Sequence, residues 1–382
     1  MKNRFSQLAC IILVLAGHTS AAEPSVTNVR AAQKPGTKKV DVWYDVAGTT
    51  SPVYVSLQVS EDGGSSYAVP VSAVSGDVGS SITLGRNKKI TWDAGVDWNG
   101  KLSTTMRFKV TASDTPLAPQ GFVTIPAGNF MRGAEPGVTG TSVYVSAFAL
   151  QKTEVTKEQW DAVRTWGSTH GYTDLSVGGG KGTNHPVHTV SWYDVVKWCN
   201  AKSEMEGKPV VYTVGGATYK TGNSTPVINY AAKGYRLPTE AEREKAARGG
   251  LSGKRFPWGD EITHSLANYH SSSSYSYDTS PTRDYHPTYN GGSYPYTSPV
   301  GSFAANGYGL FDMAGNVNEW CNDWYGTYAG SNDPTGPATG SGRVHRGGGW
   351  NLDAALARCA AHYGNNPTYT SRGIGFRPAL GQ

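Results

Sequence analysis

Charge is scarce in this chain: only 16% of its 382 residues are Asp, Glu, Lys or Arg, and 48 glycines with 21 prolines outnumber its 34 basic and 29 acidic residues together. Long helical bundles and coiled coils, which need charge-rich sequence with few breakers, are excluded. Clustered basic residues are missing too. The net charge is only +5 and the longest Lys/Arg runs are pairs such as Lys38-Lys39 and Lys88-Lys89, so no stripe exists to track a phosphate backbone and no nucleic-acid partner is expected. Beyond the N-terminus no segment approaches the ~20 apolar residues that would cross a bilayer. Cysteine is rare, with four in all. Aromatic residues are plentiful: 11 Trp, 22 Tyr and 9 Phe carry enough ring surface to exclude a disordered chain and predict a globular, loop-rich one. At roughly 150 residues per domain the length predicts two or three domains.

The one strongly apolar run follows Met1-Lys2-Asn3-Arg4, extends from Leu8 to Ala16, and precedes the small residues Thr19-Ser20-Ala21-Ala22. This is the pattern of a secretory signal peptide, residues 1–22, and predicts bacterial-type export to the periplasm, the cell surface or the medium. Cys10 leaves with it. Of Cys199, Cys321 and Cys359, two can pair in an oxidising compartment. Cys321 with Cys359 is the expected disulfide, since both lie in the aromatic and glycine-rich C-terminal region. The alternative is that all three are small buried apolar residues.

From residue 25 to 114 apolar and polar residues alternate, as in Val53-Tyr54-Val55-Ser56-Leu57-Gln58-Val59 and Met106-Arg107-Phe108-Lys109-Val110. Period-two segments broken by Gly, Asp and Asn predict a small β-sandwich, which resembles immunoglobulin- or fibronectin-like modules at the level of the fold. Within it Asp93 and Asp97 read as turn residues rather than metal ligands. A proline-marked linker covers 115–120, and a different texture runs from 121 to 382. Helix starts are announced by capping signals at Thr156-Lys157-Glu158-Gln159, at Ser191-Trp192-Tyr193-Asp194 and at Thr239-Glu240-Ala241-Glu242, the last ending at Gly249-Gly250. The stretch 263–300 is rich in Ser, Asn and Gly, but its tyrosines from Tyr269 to Tyr296 predict that it folds onto the body.

The second region carries an ordered set of motifs: Gly121-Phe122-Val123-Thr124-Ile125-Pro126-Ala127-Gly128, Lys152-Thr153-Glu154-Val155-Thr156, His185-Pro186-Val187, Tyr235-Arg236-Leu237-Pro238-Thr239-Glu240-Ala241-Glu242, Phe256-Pro257-Trp258-Gly259, Asn306-Gly307-Tyr308-Gly309-Leu310-Phe311-Asp312-Met313-Ala314-Gly315-Asn316-Val317-Asn318-Glu319-Trp320, Arg346-Gly347-Gly348-Gly349-Trp350 and Gly373-Ile374-Gly375-Phe376-Arg377. In this order they resemble the formylglycine-generating enzyme family, also called sulfatase-modifying factor. The resemblance implies an elaborated C-type-lectin-like fold of α+β class for residues 121–382.

Activity does not follow from the fold. The family's enzyme uses two cysteines shortly after an Arg-Gly-Gly-Ser motif to bind copper(I), a soft cation that prefers thiolate. Here the corresponding stretch, Asn351 to Arg358, holds no cysteine, and Gly349 stands at the serine position. No copper site and no catalytic residue are therefore expected. His185 and His188 read as packing or surface residues, not as ligands of an iron site. The resemblance also implies a calcium loop formed by Asp312, Gly315, Val317 and Glu319, oxygen donors of the kind calcium takes. A second family calcium site would begin at Asn268 and Tyr269, with Gly292 where its acidic ligand is expected.

The segment from Asn351 to Arg372, framed by Arg346 to Trp350 and Gly373 to Arg377, resembles the variable proteins of diversity-generating retroelements, in which adenine-directed mutagenesis alters Asn-codon positions. Two readings follow. One is a secreted, non-catalytic protein that binds a protein or glycan through this face, with Trp350, Asn351, Asp353, His362, Tyr363 and Tyr369 as contacts, because rigid aromatics give contact area at small entropic cost. The other is a formylglycine-generating-type oxidoreductase, or another enzyme, working through a non-standard site.

Overall fold

In a computed structural model the chain is described over residues 24–381, apart from 49–51, 66, 68, 72, 102, 114–117, 120 and 328–331. The expected signal peptide, residues 1–22, lies outside the described residues, as does all of the 115–120 stretch except Ala118 and Pro119. Two compact units divide at Leu117 and Ala118.

The first unit contains β1 (Ser25–Gln33), β2 (Lys39–Ala47), β3 (Val53–Ser60), β4 (Val74–Gly76), β5 (Gly79–Ile82), β6 (Gly85–Asp93), the one-turn α1 (Ala94–Asp97) and β7 (Arg107–Ser113). Two antiparallel sheets, ordered β1-β2-β6-β4 and β5-β3-β7, share one core. In β3 the alternation does what period two predicts: Val53, Val55, Leu57 and Val59 are buried while Tyr54, Ser56 and Gln58 are half-exposed. Opposite them lie Val42, Tyr44, Ile90 and Trp92. Asp93 caps α1 by accepting from the Gly95 amide, and Asp97 accepts from the Ala73 amide and the Trp92 indole, each bond 2.8 Å. Asp93 does turn chemistry, whereas Asp97 ties its turn to the Ala73 backbone and the Trp92 ring.

The second unit contains β8 (Phe122–Ile125), β9 (Gly128–Arg132), β10 (Thr141–Val145), β11 (Phe148–Gln151), α2 (Lys157–Ser168), α3 (Trp192–Met205), β12 (Tyr212–Val214), β13 (Ala217–Thr218), β14 (Val227–Ile228), β15 (Tyr235–Arg236), α4 (Glu240–Arg248), β16 (Asn318–Trp324), β17 (Arg343–Arg346), β18 (His362–Asn365), β19 (Ile374–Gly375) and β20 (Ala379–Gly381). It is a loop-rich α+β unit. Its main sheets run β15-β20-β11-β8 and β18-β17-β16-β19, with β16 and β19 the parallel pair. Each of α2, α3 and α4 begins with a full capping box. Between α2, α3 and the sheets lies an aromatic core in which Trp160 stacks on Trp198 at 6.0 Å and Phe376 meets both edge-on. The tyrosine-bearing 263–300 stretch is folded in, with Asn268, Tyr269, Asp278, His286, Thr297 and Ser298 buried.

Candidate functional site

The face expected to bind is built on β16, β17 and β18 and on the loop between Arg346 and His362. Glycines let that loop approach its support. Gly347 and Gly348 have φ of +100° and +72°, a region L side chains rarely adopt. Their neighbours are bound to the 315–318 turn: the Gly315 amide donates to the Gly347 carbonyl and the Trp350 amide to the Asn316 carbonyl, both at 2.8 Å, and the Gly348 amide donates to Asn318 Oδ1 at 3.0 Å. The Trp350 indole donates to the Arg372 carbonyl at 3.1 Å, tying the start of the loop to its return.

Past this frame the buried positions of the stretch matching the family's thiol segment are apolar. Ala354 and Ala357 pack into a core with Phe256, Ile262 and Tyr269. Cys321 and Cys359 do not form the expected disulfide: they and Cys199 are free, buried thiols. Cys359 packs against Ala241, Ala246 and Ala247 of α4, and Cys321 sits within β16, so each fills space as a small apolar residue. Burial pushes Cys359 up to about 12 and raises Cys199 and Cys321 as well. None of the three is a ready thiolate, the form that attacks substrates and binds soft metals.

The predicted contact residues separate into groups. Asp353, His362 and Tyr363 come together. Tyr363 is exposed, lies against the His345 ring at 6.1 Å and feels the charges of Arg358 and Asp353. Asp353 accepts from the Tyr275 hydroxyl at 3.2 Å and from the Ala355 amide at 3.0 Å. His362 is half-buried, pairs through Nδ1 with Glu240 and meets the exposed Tyr325 ring at 5.3 Å. Tyr275, Tyr325 and Arg358 thus join this group; Arg358 belongs to the Asn351–Arg372 segment, whereas sequence reasoning missed Tyr275 and Tyr325, whose signal was only the general abundance of tyrosine. Trp350 differs from expectation, being 5% exposed. It forms a floor under Tyr285, Tyr294 and Tyr296, at centroid distances of 5.5–5.7 Å, and Tyr294 is the exposed ring of that cluster. Asn351 is exposed beside it in the chain. Tyr369 is exposed in a separate turn, closed by its amide on the Asn366 carbonyl at 2.8 Å.

Beneath the face, α4 is buried along its whole length although six of its nine residues are charged. Its carboxylates meet arginines from other elements. Arg346 of β17 pairs with Glu240 and Glu244, and Arg236 forms a fork with Glu242 at 2.6 and 2.7 Å. Burial would raise the Glu240 carboxyl, but Arg346 and His362 outweigh it and hold it at about 2.

The expected calcium loop is also present, with Asp312 and Asn316 at positive φ. Its glutamate does not fit calcium. Glu319, fully buried, accepts from Arg243 at 2.7 and 3.0 Å and from Arg377 at 2.8 Å twice, so both oxygens are occupied by guanidinium groups. Burial favours its protonation, yet these two arginines keep it below its ordinary value. Asp312 accepts from the Gly301 amide at 2.6 Å, and burial pushes it up to about 6. Glu154 is raised by burial and by Asp312 beside it. Glu319, the loop's principal carboxylate, is thus saturated by guanidinium groups and not free for a dication, whereas Asp312 Oδ1 and both Glu154 oxygens are buried without a hydrogen-bond partner. Among the described residues no group of three His, Cys, Asp or Glu side chains is arranged to hold a metal. His185 instead bonds Thr297 at 3.0 Å and His188 bonds Thr189 at 2.9 Å, where burial lowers His188 to about 4.

Residues 107–381 match the family described as the sulfatase-modifying factor enzyme 1-like domain. Among curated relatives, the serine/threonine-protein kinase pkn1 of Chlamydia caviae is 34% identical over 68% of this chain, which spans only 38% of that protein. The formylglycine-generating enzyme of Streptomyces coelicolor is 32% identical over 69% of this chain and 90% of its own. Among solved structures, Treponema denticola variable protein 1 is 29% identical with a TM-score of 0.53, covering 68% of this chain and 94% of its own. With its matched region spanning most of the second unit and all the ordered motifs, this chain belongs to the sulfatase-modifying factor family, whose members include formylglycine-generating enzymes.

Proposed function

We propose that this protein is an exported, non-catalytic member of its family that binds a protein or glycan through the face around Tyr363, with the first unit, read as an immunoglobulin- or fibronectin-like module, as a spacer. One observation carries the reading: the stretch that holds paired thiols in the enzyme is here packed into the core through Ala354 and Ala357, while tyrosines rim the surface around it. Tyrosine offers broad contact area, a hydroxyl for hydrogen bonding and few rotamers to freeze. The likeness to a Treponema denticola variable protein supports a face selected for binding. It also supports reading Asn351 to Arg372 as a diversified segment, for which an adenine-rich copy of its coding sequence near the gene is the genetic signature.

The test has two arms. Purified full-length protein is incubated with copper(I), oxygen and a peptide bearing a sulfatase cysteine motif; oxygen consumption with conversion of the cysteine overturns the proposal in favour of an oxidoreductase. In parallel the protein is screened on arrays of glycans and of surface proteins. A ligand whose affinity falls at least tenfold, about 1.4 kcal/mol, in the double variant Tyr325→Ser/Tyr363→Ser places recognition at this face.

A further inference from the structure

The Asp312–Glu319 loop resembles a calcium loop in sequence, yet two arginines occupy its principal carboxylate. Arg243 reaches it from the middle of α4. Its Nε and Nη2 donate to Glu319 at 2.7 and 3.0 Å, and Nη2 also donates to the Met313 carbonyl at 3.1 Å. One guanidinium therefore clips the beginning of the loop to its end, as a bound cation would do by collecting a carbonyl and a carboxylate. Arg377 approaches the same carboxylate and donates onward to the Phe311 carbonyl at 2.9 Å. All three side chains are buried. A second observation shows that room is reserved for Arg243: a Cβ built on Gly347 would lie 2.9 Å from its Nη2, so glycine at this position leaves space for the guanidinium.

We propose that Arg243 supplies, within the folded chain, the positive charge that calcium would bring to this loop, so that the second unit folds without calcium and does not bind it there. A guanidinium is permanently charged and presents its donors in a fixed plane. Calcium at Glu319 would have to displace these bonds while standing beside two cations. Arginine and ion are alternatives at this carboxylate.

Calcium itself is the probe. The full chain is dialysed against millimolar calcium, its bound metal is counted by emission spectrometry, and its melting temperature is read in calcium and in chelator. The expected result is no stoichiometric calcium and the same melting temperature in both buffers. One calcium per chain held at this loop, or a drop of several degrees on chelation, overturns the proposal. Arg243→Met is then compared: removing the resident charge should create a rise in melting temperature on adding calcium, and a variant indifferent to calcium overturns the assignment to Arg243. If Arg243→Met is recovered unfolded, it is refolded from denaturant with and without calcium. Recovery only with calcium supports the assignment, and recovery in neither buffer overturns it.

Discussion

His345 and His188 are buried imidazoles whose pKa values burial lowers from 6.5 to about 4. Between those limits the unfolded chain takes up protons that the folded chain refuses, so stability is full above pH 6.5 and is lost as pH falls toward 4. Asp312 acts in the opposite sense. Its pKa is raised to about 6, so the folded chain holds a proton there that the unfolded chain releases above about 3.8, offsetting part of the loss. Glu240, held at about 2, adds its own loss only below pH 4.5, as the pH falls through its folded value. We expect the unfolding free energy to decline on acidification from pH 6.5, and His345→Phe, which keeps a ring against Trp320 and Tyr363, to reduce the slope by up to about 1.4 kcal/mol per pH unit. Urea titrations at several pH values check this. An unchanged slope removes His345 from the account. These shifts were not legible in the sequence, because each histidine owes its environment to residues distant in the chain.

At the scale of the element, α4 shows what local sequence can reveal and what it cannot. Its start was readable from Thr239 and Glu242, which form the reciprocal capping box, and its end from Gly249, which adopts φ +57°. Thr239→Ala should cost about 1 kcal/mol. Gly249→Ala should cost more, because a Cβ there combines the left-handed conformation with an approach of 2.8 Å to the Gly307 amide nitrogen. Equilibrium denaturation ranks the two, and a Gly249→Ala variant as stable as the parent would show that the helix end relaxes freely. Its complete burial had no local signal. Glu, Arg and Lys at six of nine positions describe a solvated helix until Arg346, about a hundred residues later, closes on Glu240 and Glu244. The proposed binding face shows the same limit. Asn351, Tyr363 and Tyr369 are exposed as read, whereas Tyr275 and Tyr325 join the site only through the paths of loops that carry no periodicity, and Trp350 turns inward because Tyr285, Tyr294 and Tyr296 cover it.

For the molecule as a whole, the division at Leu117 and Ala118 falls inside the proline-marked stretch, and each unit contains its own core. Alternation made the first unit's strands readable, and ordered motifs made the second unit's family readable. The short strands β12, β13 and β14 had no comparable pattern. Separate cores predict separate melting. Leu57→Ala in the first unit and Leu237→Ala in the second, both buried, should each cost about 2–5 kcal/mol and each lower a different calorimetric transition. A single transition displaced equally by both would mean that the units unfold as one.

The unpaired cysteines have a consequence for how the molecule can be watched. Cys199 lies on α3 in the tryptophan core, Cys359 in the core behind α4, and Cys321 in β16, an inner strand of the sheet beneath the proposed binding face. Sealed from solvent and held as thiols, they are silent toward alkylating reagents until their surroundings part. Their individual labelling rates therefore time the breathing of three regions within one unit, with no probe added to the chain.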